Sequence, residues 1–217
     1  MTNRGDTLPT TAPRTNARSL VADARWLDAL QRLAGRSAHE LKGVLNGVSV
    51  NVEVIRSRAE RANAAASAVA SFAEAASAQL DDVIELTEAL LALARAPHEP
   101  IEIGVELRRI AILLASAARA DGRRLSVDDA ASLGRLGVTS APGSAVRLAI
   151  CESLFAAIDA GHETRCHAVS GEDAARLRID VVGAEGISLA GDITAAVAEY
   201  GIEIQLDHSA ISISFPR

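Results

Sequence analysis

One histidine in this chain of 217 residues has neighbours that would make it a nucleophile. His39 lies in the segment Ser37-Ala38-His39-Glu40-Leu41-Lys42-Gly43-Val44-Leu45-Asn46-Gly47. On a helix, at about 100° per residue, Leu41, Leu45, Val48, Val52 and Ile55 fall on the side opposite His39, so the ring is predicted to face solvent. Most exposed helical histidines are ordinary surface residues. Here, however, the residues sharing its face are Gly35 and Gly43 one turn to either side, Arg36 and Lys42 three residues away, and Asn46 two turns on. A mid-helix glycine costs ~1 kcal/mol relative to alanine, and two of them would let a partner's backbone come close to the ring. The two cations could hold a phosphoryl group or pair with an acidic pocket. Glu40 could accept a hydrogen bond from one imidazole nitrogen and leave the other as nucleophile.

The remaining candidates are weaker. His162, Cys166 and His167 match no common ligand spacing and have no evident fourth ligand, so no metal site is expected. His98 and His208 have no companions. The run GAEG at 183–186 lacks the partners that phosphate binding needs, and there is no Gly-x-Ser-x-Gly nucleophile elbow.

Positioning His39 requires a long helix, and the pattern supplies one. Residues 1–18 are rich in Thr, Pro and Arg and read as a flexible tail. From Leu20 to about Arg61 there is no proline, and Leu41, Val44, Leu45, Val48, Val52 and Ile55 form one stripe. A second helix is expected from about Ala65 to Ala96, with Phe72, Ala76, Leu80, Val83, Leu86 or Thr87, Leu90 and Ala94 on its stripe. The turn between them falls in the Ala/Ser-rich segment from Arg61 to Ser71, and Pro97 and Pro100 end the second helix. Two such helices cannot enclose a core alone. Pairing with a second copy as a four-helix bundle solves this, so a homodimer is expected.

Beyond Pro100 the texture changes to a two-layer α/β domain, with helices at Ile101–Ala120, Ser144–Ala160 and Ala190–Tyr200. Strands are expected at Arg124–Val127, Leu136–Thr139, Arg165–Val169, Leu177–Val181, Ile202–Leu206 and Ala210–Phe215. The fold class is therefore α+β: a tail (1–18), a helical-hairpin domain (19–97) and an α/β domain (98–217).

Composition narrows the function classes. The net charge is −6, and Lys42 is the one lysine among 22 basic residues; no basic face for nucleic acid is expected. No segment reaches the ~20 apolar residues that span a bilayer, and the N-terminus has no signal-peptide core. Cys151 and Cys166 read as reduced thiols in a cytoplasmic protein.

His39-Glu40-Leu41-Lys42 followed by Leu45-Asn46 resembles the H-box of the dimerisation and histidine-phosphotransfer domain of bacterial sensor histidine kinases. Gly43 and Val44 stand where Thr or Asn and Pro are usual in that family. Residues 146–158, VRLAICESLFAAI, resemble the helix carrying the family's N-box, with Glu152 at the first Asn and Ala156 at the second, the magnesium and phosphate contact. Residues 181–187, VVGAEGI, match the strand and turn where the family has Asp-x-Gly-x-Gly. The adenine-binding Asp falls on Val182 and the first Gly on Ala184. No room is left for an ATP lid before the next helix, whereas the ending IEIQLDHSAISISFPR matches the family's final hairpin. A kinase-like core with its nucleotide residues gone is similar to the dimeric histidine phosphotransferases of bacterial phosphorelays (the ChpT type).

That resemblance implies a phosphoryl carrier rather than an ATP-dependent kinase, with no cofactor of its own. His39 would accept and donate the phosphoryl group, Glu40 would orient or deprotonate the ring, and Gly35, Arg36, Lys42, Gly43 and Asn46 would dock the partner. Response-regulator receiver domains are the implied partners, a hybrid histidine kinase a further one, and magnesium would sit in the receiver's aspartate pocket. The alternative is a non-catalytic pseudo-kinase adaptor that binds a regulator or kinase without accepting phosphate.

Overall fold

The computed structural model describes residues 14–61, 66–95, 100–169 and 174–217. It opens with two antiparallel helices, α1 (Arg14–Ala59) and α2 (Ala66–Ala94). The expected tail is shortened by this: 14–18 are already helical, because Ala17 and Arg18 are good helix formers directly ahead of the apolar pattern. Residues 1–13, residues 62–65 within the expected turn segment, and Pro97 and His98 lie outside the described residues.

A helix expected from Ile101 starts two residues later. Ile101 and Glu102 form β1, paired antiparallel with β3 (Val138–Thr139), and α3 runs over Ile103–Ala120. After β2 (Arg124–Val127) comes α4 (Ala130–Gly134), a single turn absent from the sequence expectation. It is started by Asp129, whose carboxylate accepts a hydrogen bond from the Ser132 N–H at 2.8 Å. Then follow α5 (Gly143–Ala160), β4 (Glu163–Val169), β5 (Ala175–Val182), α6 (Gly191–Ala198), β6 (Glu203–Asp207) and β7 (Ala210–Phe215).

The main sheet has the order β2-β4-β5-β7-β6, parallel only between β2 and β4. Alternation along β5 sends Leu177, Ile179 and Val181 inward and Arg176 and Val182 out to solvent. Helix α5 lies across the inward side of β5 and β7. It ends at Gly161, where a side chain has no room: an added Cβ would stand 2.7 Å from the Val182 carbonyl oxygen.

The hairpin and the α/β layers share one core. Ala22, Trp26, Ala29 and Leu33 of α1, and Leu86, Ala89 and Leu93 of α2, pack into the cluster formed by α3, α5 and the sheet. At its centre lies Arg147 of α5, whose side chain is 2% exposed, against Glu106 of α3 at 6%. Arg147 Nε donates to Glu106 Oε2 at 2.7 Å. Its Nη1 donates to the carbonyls of Leu93 and Arg95, and Nη2 to Ala92 and to Glu106. The guanidinium thus caps the C-terminal end of α2, whose last carbonyls have no intrahelical donors. Its Cζ is also 5.9 Å from the ring centre of Trp26.

Removing Glu106 would strand the buried Arg147 charge, at a cost of roughly 3–5 kcal/mol. Removing Arg147 would uncap α2 and leave the buried Glu106 carboxylate with Arg109 alone, whose Nη1 donates to Glu106 Oε1 at 2.7 Å. Arg147→Met should therefore unfold at markedly lower urea. The double variant Arg147→Met with Glu106→Leu should recover part of the loss, the shortfall being the uncapped α2 carbonyls. A single variant as stable as the wild type would contradict this account.

Candidate functional site

His39 sits in mid-α1 and is exposed, as the helical phase requires. The opposite side of this turn is fixed: Ser37 is fully buried and its hydroxyl donates to the Leu33 carbonyl at 2.9 Å. Gly35, Lys42, Gly43 and Asn46 are exposed too, so the structure brings these four together with His39 on one open face. Around Gly35 and Gly43 the space is empty, with nothing within 4 Å of where a Cβ would stand. Neither glycine is demanded by the fold of the single chain.

Two of the expected residues turn elsewhere. Glu40 is half-buried and lines a cleft of about 210 Å³ between α1, α2 and α3, in company with Asp82, Glu85 and Arg119. Adjacent residues on a helix point about 100° apart, and among the described residues no hydrogen bond joins Glu40 to His39. Arg36 leans towards α5, its Cζ 4.7 Å from the Phe155 ring centre and its Nη2 3.9 Å from Asp159.

That lean belongs to a wider contact in which basic residues of α1 meet acidic ones of α5 and α6. Arg25 pairs with Asp192 at 2.5 Å. Arg32 is hydrogen-bonded to Glu152 and also lies over Phe155. Burial pushes the Glu152 carboxyl above the usual carboxylate range, and the attraction of Arg32 opposes this. Glu152, which the resemblance sets at the first N-box Asn, is thus held by Arg32 of α1. Ala156 is half-buried on α5, and Val182 and Ala184 lie at the end of β5 and in the turn after it. Both thiols are buried: Cys166 is pushed up to about 12 by burial, and Cys151 is raised as well.

Away from the α/β layers, the hairpin keeps an open apolar face. Leu45, Val52, Leu80, Ile84 and Leu91 are each 45–54% exposed. The stripe read from sequence therefore divides. Leu41, Val48 and Ile55 are half-buried within the chain, whereas Leu45, Val52 and Leu80 face outward, because one neighbouring helix covers only part of a stripe this wide. Gly47 is a contact the sequence reading did not single out. An added Cβ there would clash with Gln79 of α2, whose Oε1 accepts from Asn51 Nδ2 at 3.0 Å. A glycine opposite a long polar side chain was the available signal.

No protein-family model and no curated protein matches the chain. Solved structures do. A histidine kinase of Acinetobacter baumannii, AdeS, is 11% identical over 82% of this chain and 97% of its own, with a TM-score of 0.42. A histidine kinase from Burkholderia phymatum is 18% identical over 85% of this chain and 96% of its own, with a TM-score of 0.31. Likeness at this level transfers no role to any residue. Among the described residues no helix is long and apolar enough to cross a membrane.

The Glu152 environment has a pH signature. Its carboxyl ionises at higher pH folded than unfolded, so stability is lost as pH rises through and beyond its usual value of 4.5. Glu152→Gln should match the wild type in melting temperature below that pH and equal or exceed it at pH 7. A variant clearly less stable at pH 7 would mean that the pair with Arg32 outweighs the burial.

Proposed function

We propose that this chain is a histidine phosphotransferase of a two-component phosphorelay. The observation that carries the reading is the open face of α1, where His39 stands between two glycines that the fold of the chain does not require. The H-box resemblance of residues 39–46 supports it. In the forward step a lone pair on an imidazole nitrogen attacks the phosphorus of a receiver's aspartyl phosphate. The P–N bond forms, the P–O bond breaks, and the receiver carboxylate leaves with the electron pair. Transfer to a second receiver is the reverse, with the electron pair of the P–N bond returning to the nitrogen. Lys42 lies on the same face as His39 and is placed to meet the phosphoryl charge. Glu40 would have to turn out of its cleft to reach the ring, so its part is confined to the docked complex. Magnesium belongs with the receiver's aspartate.

The contact of Arg25 and Arg32 with α6 and α5 supports a carrier that takes no phosphoryl group from ATP. The open row of Leu45, Val52, Leu80, Ile84 and Leu91 supports a homodimer, because a second hairpin would cover it and complete a four-helix bundle.

Incubation with a panel of radiolabelled phospho-receivers tests the central step. Acid-labile label should appear on the wild type and be absent from His39→Ala, which should keep the wild-type fold. Failure of every receiver to label His39, with binding retained, would favour the adaptor reading instead. Gly43→Leu should keep or raise the melting temperature, since its Cβ meets nothing, yet lose most receiver transfer; an unchanged rate would mean the docking face lies elsewhere. Light scattering should give twice 22.6 kDa for the wild type. Ile84→Asp, exposed in the single chain, should give a folded monomer.

A further inference from the structure

Two arginines one turn apart on α1 lie on the same aromatic ring, Arg32 with its Cζ 4.8 Å and Arg36 with its Cζ 4.7 Å from the centre of Phe155. Their anchors differ. Arg32 is bound to Glu152, whose side chain is 11% exposed. Among the described residues the one carboxylate that Arg36 reaches is Asp159, whose side chain is 59% exposed, across 3.9 Å. The same Asp159 oxygen already accepts a hydrogen bond from Arg123 Nη1 at 3.2 Å. A long contact to a solvated carboxylate engaged by another guanidinium holds an arginine weakly. Arg36 is also three residues before His39, so it borders the open face as well as the α5 contact.

We propose that Arg36 is a movable phosphoryl-binding cation, and that Phe155 and Asp159 of α5 are positioning residues that park it while His39 is empty. The inference rests on the phosphotransfer reading and gives the α/β domain a part in it. A phosphoryl group brings close to two negative charges near pH 7 and three strong acceptor oxygens. It competes well against half a share in one exposed carboxylate, and the planar fork of Arg36 suits it. Arg32 stays with the buried Glu152, so α1 keeps its place on α5 while Arg36 swings. Lys42 lies three residues beyond His39 and carries part of the charge, so losing Arg36 weakens transfer without ending it.

Phosphoramidate, a small donor that needs no docking surface, tests this on the full-length protein. The histidine nitrogen takes the phosphoryl group, the donor's P–N bond breaks, and ammonia leaves. Acid-labile label at His39 is followed in time. Arg36→Ala should slow labelling roughly fivefold, and Asp159→Asn should speed it roughly two- to threefold. Combined with Arg36→Ala, Asp159→Asn should have no effect, and Arg36→Lys should restore only part of the rate. A general loosening of the fold would not produce that dependence on Arg36. Asp159→Asn that slows labelling, leaves it unchanged, or speeds it equally without Arg36 would overturn the inference while leaving phosphotransfer intact. No labelling of wild-type His39 by phosphoramidate or by any phospho-receiver would overturn both.

Discussion

At Arg147 every N–H of one planar group finds an acceptor, and the acceptors come from the end of α2 and from Glu106 on α3. The surroundings are apolar, so the last carbonyls of α2 could not end there without a donor. A single arginine satisfies them, shares the buried Glu106 carboxylate with Arg109 and faces the Trp26 ring of α1. Four helices are thereby fixed against one another at one point. The position of α1 over α5 rests on that joint together with the contacts of Arg25, Arg32 and Arg36.

Beyond this joint, successive residues of α1 meet neighbours of different burial. Trp26 and Leu33 are enclosed. Arg32 keeps a half-wet head on a buried carboxylate, Arg36 touches one exposed to solvent, and His39 is exposed. One helix thus packs into the core through Trp26 and Leu33 and exposes His39 in its middle. The two arginines differ electrostatically: Arg32 holds a carboxylate that is 11% exposed, whereas Arg36, nearer the histidine, meets one that is 59% exposed and opens at little cost.

The parts of this design differ in how plainly the amino-acid order shows them. Exposure of His39 and its company of Gly35, Lys42, Gly43 and Asn46 were legible, because helical phase alone decides them. So were β2 and β7, where alternation and bounding residues agree. The single turn of α4 was not, since five residues give no periodicity and only Asp129 marks it. Nor was the burial of Arg147: within VRLAICESLF it reads as the exposed member of an apolar helix, and its acceptors lie 41 to 55 residues away. Arg36 was placed beside His39 by phase and Glu40 by adjacency in sequence, but neither sees α5, which attracts the first, or the cleft that takes the second. The row Ala22, Trp26, Ala29, Leu33 has the same spacing as the stripe that was read. It belongs to a different neighbour, the core of the α/β layers, which local pattern cannot name.

Helix α1 runs for 46 residues without interruption, a rod of about 69 Å at 1.5 Å per residue. Trp26, gripped in the core, and His39, offered to solvent, are locked in azimuth because no break between them can absorb a twist. One inserted or deleted residue in that interval would turn the histidine by about 100°, into its own chain or away from any visitor, whereas seven would return it to within about 20°. Along this stretch, then, descendants of the chain are free to exchange many side chains but can change in length only by near-heptad steps.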